Sequence, residues 1–171
     1  FSTEITDAAE LCEQIANFAS TMAEKLRRQK SVVSEMTVFA YTNRFKDNAP
    51  QTYGNSLVHF EHPSSDQRTI VSRAVAAAKE LYRCGYGYKK AGVVATRLMQ
   101  ESDLVHSLFE DTSASEREQK LTSALDAING AYGKDTVKLA VQGSGHIKSS
   151  SERQSPHYTT LWSDIPAVTV K

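Results

Sequence analysis

The 171-residue chain has no excess of charge of either sign: 20 Lys and Arg stand against 20 Asp and Glu. Without a net field, nothing draws the whole chain onto nucleic acid or an anionic membrane, and any such contact needs a local basic face. Cysteine is scarce as well. Cys12 and Cys84 are far apart, form no C-x-x-C pair, and Cys12 falls inside a helical apolar pattern, which points to a reduced, cytoplasmic protein rather than a disulfide scaffold. No apolar run approaches the ~18 residues of a membrane span, and no basic n-region followed by an apolar segment opens the chain. Nucleophile elbows, Walker loops and G-x-G-x-x-G turns after a strand are missing too. His59, His62, His106, His146 and His157 are scattered, without metal-ligand spacing. Glu110 and Asp111 are sequence neighbours in a polar stretch, and adjacent positions of that kind do not converge on one metal or substrate. No catalytic residue, metal or cofactor is therefore expected in this segment. The chain starts at Phe1 and passes directly into the strand-like "FSTEIT", so it reads as a piece of a longer protein.

What is present is clear periodicity. Asp7 with Glu10 is a capping pair, and Leu11, Ile15, Phe18, Ala19, Met22 and Leu26 then recur at helical spacing to about Arg28. "SVVSEMTVFAYT" switches to period two, with Val32, Met36, Val38 and Ala40 on one face and Glu35, Thr37, Phe39 and Tyr41 on the other. "NRFKDNAPQTYGNS" reads as a loop, and "LVHFE" as a strand with Val58 and Phe60 inward, His59 outward and Pro63 closing it. A second, alanine-rich helix follows on Ile70, Ala74, Ala77 and Leu81, ended by Gly85 and Gly87 before the strand "YKKAGVVAT". From Gln100 to Glu118 the composition turns polar and acidic, with Leu104, Val105, Leu108 and Phe109 as a short apolar plug. A third helix on Leu121, Ala124, Leu125 and Ile128 and a strand "TVKLAVQ" come next, then a Gly/Ser-rich stretch and "HYTTLWSDIPAVTVK".

The expected fold class is α+β: a split βαββαβ unit with a four-stranded antiparallel sheet and two helices on one face, followed by a small accessory helix-strand unit. The expected division is 1–98, a linker at 99–118, and 119–171. One sheet face stays open. With Ala91, Val93 and Ala95 turned to the helices, Lys90, Gly92, Val94 and Thr96 point outward beside Glu35, Thr37, Tyr41 and His59. A lysine next to a residue without Cβ suits the close approach of a phosphate chain. Arg27, Arg28 and Lys30, with Arg44 and Lys46 in the loop, extend the positive strip. The same lysines are equally read as solvated charges that discourage sheet-edge pairing.

The βαββαβ order, "YKKAGV", "TNRFKDNAPQTYGNS", "HSLFED" and "SPHYTTLWSDIP" together resemble the C-terminal region of UmuC-type Y-family translesion DNA polymerases, over nearly the whole chain. The resemblance implies that residues to about 98 form a little finger, which lays its open sheet along the DNA backbone in a sequence-independent manner. It puts Lys89 and Lys90 on template phosphates, with Gly92, Thr96, Thr37, Tyr41, His59 and Arg44 sharing that surface. Val94 stands where the wider family is often basic. Lys89 has inward parity and reaches DNA only from the strand's start, so Lys90 is the firmer assignment. In the linker, Leu108 and Phe109 match the last two residues of the family's sliding-clamp motif, with Val105 where glutamine is usual. The resemblance further implies a DNA-repair role in the SOS response, and a parent polymerase whose magnesium-binding palm carboxylates lie N-terminal to this segment. Processed UmuD and RecA enter as possible partners without an assigned surface here.

Two other classes remain open. A protein-interaction adaptor would use the linker or the open face without nucleic acid. An RNA-binding module of split βαβ layout needs exposed aromatics on central strands, for which only Phe39 and Tyr41, both on one strand, are candidates.

Overall fold

The computed structural model describes residues 1–46, 48–104 and 112–144. Asp7 caps the first helix, α1 (Ala8–Arg28), by accepting the Glu10 N–H at 2.9 Å. That arrangement satisfies one of the donors a helix start leaves over. Ile15, Ala16, Ala19, Ala23 and Leu26 are buried along one face of α1. Lys30, with φ +51°, turns the chain into β1 (Ser31–Thr42). The strand β2 (Tyr53–Ser64) follows, and Asp66 then caps α2 (Gln67–Leu81) by accepting the Thr69 N–H at 2.8 Å. The last strand, β3, runs Tyr88–Gln100, and a third helix, α3, runs Thr112–Tyr132.

The sheet is antiparallel with β1 in the middle, in the order β2-β1-β3. Met36, Val38 and Ala40 of β1 face inward, with Val58 and Phe60 from β2 and Ala91, Val93 and Ala95 from β3. Against that face pack α1 and α2, whose contact is rich in alanine: Ala16, Ala19 and Ala23 on one helix, Ala74, Ala77 and Ala78 on the other. Small side chains let the two helices approach closely, and the apolar area removed from water is the main source of stability. Cys12 lies in this core, where burial pushes its thiol pKa up, while Cys84 is exposed.

The α+β class and the two helices on one sheet face are as expected. Four details differ. The expected first strand is a single bridge, Ile5 with Tyr88 (N to O 2.9 and 2.8 Å), because Asp7 is already committed to capping α1 two residues later. The sheet therefore has three strands rather than four. The strand β2 begins at Tyr53, inside the stretch read as a loop, and continues through Pro63 to Ser64. Helix α3 begins at Thr112, within the stretch read as linker. No strand forms over "TVKLAVQ": the Asn129 side chain takes both the Val137 N–H (2.8 Å) and its carbonyl (2.9 Å), and a 3-10 turn follows at Ala140–Gln142. The groups that would have paired with a neighbouring strand are occupied by a side chain.

The accessory unit docks on the helical layer chiefly through polar groups, with Leu139 as a partly buried apolar contact against the core. Gln142, 1% exposed, exchanges hydrogen bonds with Asn17: its Nε2 donates to Asn17 Oδ1 (3.2 Å), and Asn17 Nδ2 donates to the Gln142 carbonyl (3.1 Å). Gln142 Oε1 accepts the Leu139 N–H at 2.9 Å. Arg27 holds Asp126 with two bonds of 2.6 Å, Arg68 reaches Glu118 at 2.8 Å, and Thr122 donates to Asp66 at 3.3 Å. Gly143 adopts φ +62° against the Glu13 carboxylate, where an added Cβ would clash. Meanwhile Leu121, Ile128 and Tyr132 of α3 stay exposed.

Candidate nucleic-acid interface

The outer sheet face follows from register. Period two turns Glu35, Thr37, Phe39 and Tyr41 of β1 away from the helices, and antiparallel pairing then builds cross-strand rows. From one end of the sheet to the other these are Tyr53–Tyr41–Lys90, Asn55–Phe39–Gly92, Leu57–Thr37–Val94 and His59–Glu35–Arg97. Among the described residues no helix covers this face, since α1 and α2 lie on the other side and α3 packs on them.

The face is polar at both ends and apolar in the middle. Lys90 is exposed and, among the described residues, has no hydrogen-bonding or ionic partner. Lys89 is half-buried and donates to the Ser2 carbonyl at 3.0 Å, consistent with its inward parity. At the far end Glu35 Oε1 lies 3.5 Å from both His59 Nδ1 and Arg97 Nη1. The Arg97 charge is therefore partly neutralised by a carboxylate on the same face. Thr96 sits at the register break beside Glu35, to whose carbonyl its hydroxyl donates at 3.1 Å.

Three assignments change. Gly92 does not present bare backbone: the Phe39 ring lies over it, so that an added Cβ would fall 2.7 Å from Phe39 Cζ. The missing side chain makes room for an aromatic ring rather than for a phosphate. Arg27 and Arg28 do not extend a positive strip, because they pair with Asp126 (2.6 Å) and Glu24 (2.6 Å). Lys46 is likewise paired, with Glu4 at 3.2 Å. Lys90 and Arg44 are left as the exposed cations nearest the Tyr41 end of the face.

Tyr53 is an outer-face residue that the sequence reading missed, as are Asn55, Leu57 and Arg97. Tyr53 pairs directly with Tyr41, ring centroids 4.1 Å apart and planes within 8°, and Phe39 also stacks on Tyr41, at 4.9 Å. A hydrogen bond with Tyr53 and partial burial push the Tyr41 hydroxyl pKa up. The available signal was the alternation of Tyr53, Asn55, Leu57 and His59, hidden by Gly54 and by Asn55 itself, which look like turn residues. The β1–β2 turn itself is held by Gln51, whose amide donates to the carbonyls of Asn43 (3.0 Å), Lys46 (3.0 Å) and Ala49 (3.3 Å). Val105, Leu108 and Phe109 lie outside the described residues.

Residues 1–108 match the impB/mucB/samB family C-terminal domain. The chain belongs to that family. Residues 119–168 match a second family, described as a domain of unknown function (DUF4113). Protein UmuC of Salmonella typhimurium (strain LT2) is 34% identical over 167 residues, covering 96% of this chain and 39% of that protein. Protein ImpB of Salmonella typhimurium is 32% identical over 168 residues, with 97% and 39% covered. Protein MucB of Escherichia coli is 29% identical over 173 residues, with 100% and 40% covered. This impB/mucB/samB chain thus spans about two fifths of its relatives' length and corresponds to their C-terminal part.

Proposed function

We propose that this chain is the DNA-binding and partner-recruiting C-terminal region of an error-prone Y-family translesion DNA polymerase that works in DNA repair and the SOS response in the cytoplasm. The observation that carries the reading is the uncovered outer face of a little-finger-like sheet, with Lys90 exposed and unpaired at one end. Family membership supports it. In this reading residues 1–98 form the little finger, 99–118 the linker and 119–171 an extension. The chain binds and orients duplex DNA through phosphates, and chemistry belongs to palm carboxylates and magnesium elsewhere in the parent enzyme. Lys90 contributes a phosphate contact, Arg44 extends it along the turn, and Lys89, Thr37, Tyr41, Thr96 and His59 border it.

Phosphate contacts make affinity salt-dependent and indifferent to sequence. Replacing Lys89 and Lys90 by Ala should weaken binding of a duplex oligonucleotide equally across sequences. It should also lower the slope of log affinity against log salt by about 1 for Lys90. An unchanged affinity would sink the sheet-face reading.

For partner recruitment, Leu108 and Phe109 are assigned to an apolar pocket on a sliding clamp, with Val105 at the position that glutamine usually fills. Leu108→Ala with Phe109→Ala should abolish capture of this chain by immobilised clamp and leave DNA affinity unchanged. Capture at wild-type strength would refute the clamp assignment. Processed UmuD and RecA remain partners without an assigned surface. A second reading, a protein-interaction adaptor, draws support from the exposed Leu121, Ile128 and Tyr132 on α3. It is favoured if wild-type chain binds no DNA even at low salt.

A further inference from the structure

We infer that the Tyr53 end of the outer face is a stacking ledge for an unpaired base of single-stranded DNA. The inference rests on the nucleic-acid reading above and adds to it a ligand class that phosphate contacts alone do not specify.

Phe39, Tyr41 and Tyr53 form a staircase of stacked rings outside the hydrophobic core, stepping from the central strand to the free edge of the sheet. Each ring but the last is occupied. Phe39 rests on Gly92 and stacks on Tyr41, and Tyr41 is in contact with both Phe39 and Tyr53. Tyr53, on the edge strand, uses one ring face against Tyr41 and is 65% exposed, so its second face is open to a planar ligand. The stack at 4.1 Å and 8° holds that face in place before any ligand arrives, which lowers the entropic cost of binding.

The surroundings suit a nucleotide rather than an apolar peptide. Lys90 stands beside Tyr41 in the same cross-strand row, and Arg44 lies in the adjoining turn, next to Phe45, which is 86% exposed. A second exposed aromatic and one cation, Arg44, thus stand beside the ledge on a turn that Gln51 braces through three carbonyls, while Lys90 lies across Tyr41 on β3. Aromatic faces for bases combined with cations for the backbone are the elements of single-strand binding, and stacking tolerates any base because each has a π-face. A duplex interior offers no such face, since its bases are already stacked on one another. Tyr53 therefore discriminates single strand from duplex, whereas Lys90 serves both.

The test measures affinity of the 171-residue chain for a fluorescent oligo-dT and for a duplex of equal length, in wild type, Tyr53→Ala, Tyr53→Phe and Lys90→Ala. Tyr53 is exposed and on an edge strand, so its truncation leaves the core in place; matching melting curves check this. Tyr53→Ala should weaken oligo-dT binding about 10-fold and leave duplex binding unchanged, since one stacked base is typically worth that much. Tyr53→Phe, which keeps the ring, should bind as wild type. A 2-aminopurine placed in the oligonucleotide should be quenched by wild type and Tyr53→Phe and not by Tyr53→Ala. If Lys90→Ala weakens both ligands while Tyr53→Ala weakens both equally or neither, the ledge is refuted and the phosphate reading stands. If Lys90→Ala and Tyr53→Ala leave both ligands unaffected, both readings fall.

Discussion

The two halves of the molecule adhere by different means. The sheet, α1 and α2 are joined by an apolar core in which Ile15, Met36, Val38, Ile70 and Ala74 are fully buried. The unit after residue 112 is attached to that body through Arg27 with Asp126, Arg68 with Glu118, Thr122 with Asp66, and the buried pair Gln142 and Asn17. Leu139 adds one apolar contact with the core, while Leu121, Ile128 and Tyr132 of the unit's own helix stay outside. Apolar burial is strong and non-directional, whereas hydrogen bonds contribute little net energy and much orientation. The body is therefore held by area, and the attached unit chiefly by geometry, with Leu139 as its apolar contact.

Three substitutions separate these modes, beginning with the largest effect. Ile15→Ala empties a fully buried site and should destabilise the whole body by about 2–5 kcal/mol, read as a lower denaturant midpoint in every probe. If only the attached unit loosened, the core would not be the source of cohesion. Gln142→Ala leaves Asn17 Oδ1 and the Leu139 N–H without their partner, while the bond from Asn17 to the residue-142 carbonyl remains, and should cost about 1–3 kcal/mol. That loss should fall on the attached unit alone, as faster protease cleavage around residues 133–144 with an unchanged midpoint for the sheet. Asp126→Ala removes the partner of Arg27, whose side chain is 14% exposed against 36% for Asp126. Screened by solvent, the pair should be worth about 1 kcal/mol or less, and wild type in high salt should approach the variant's protease sensitivity. No convergence with salt would mean that the contact acts through packing rather than charge.

The body was legible in the sequence because it is periodic. Leu11, Ile15 and Ala19 mark α1 at helical spacing, and Met36, Val38 and Ala40 mark the buried face of β1; both faces are where the spacing puts them. The assignment of Lys90 outward and Ala91, Val93 and Ala95 inward follows from the same alternation. What escaped was not periodic. Gly54 and Asn55 look like turn residues, yet pairing with Ala40 and Phe39 carries them in the strand, so Tyr53 was lost to a loop. Gly92 was legible as a close approach but not as to what approaches, because the identity of a cross-strand neighbour depends on register. Gln142 gave no signal at all. A polar residue that anchors a unit by tertiary hydrogen bonds looks, in sequence, like any surface glutamine.

The Gln142 seam has a consequence for how the molecule responds to temperature. Burying apolar surface brings a large heat-capacity change, so the stability of the body follows a dome and weakens toward both cold and heat. The seam adds Leu139 to its amides and ion pairs and buries far less apolar surface, so it takes little part in that dome. The cost of desolvating its ion pairs falls as temperature rises. The junction between the two parts of this chain therefore does not share the temperature optimum of the sheet and its helices.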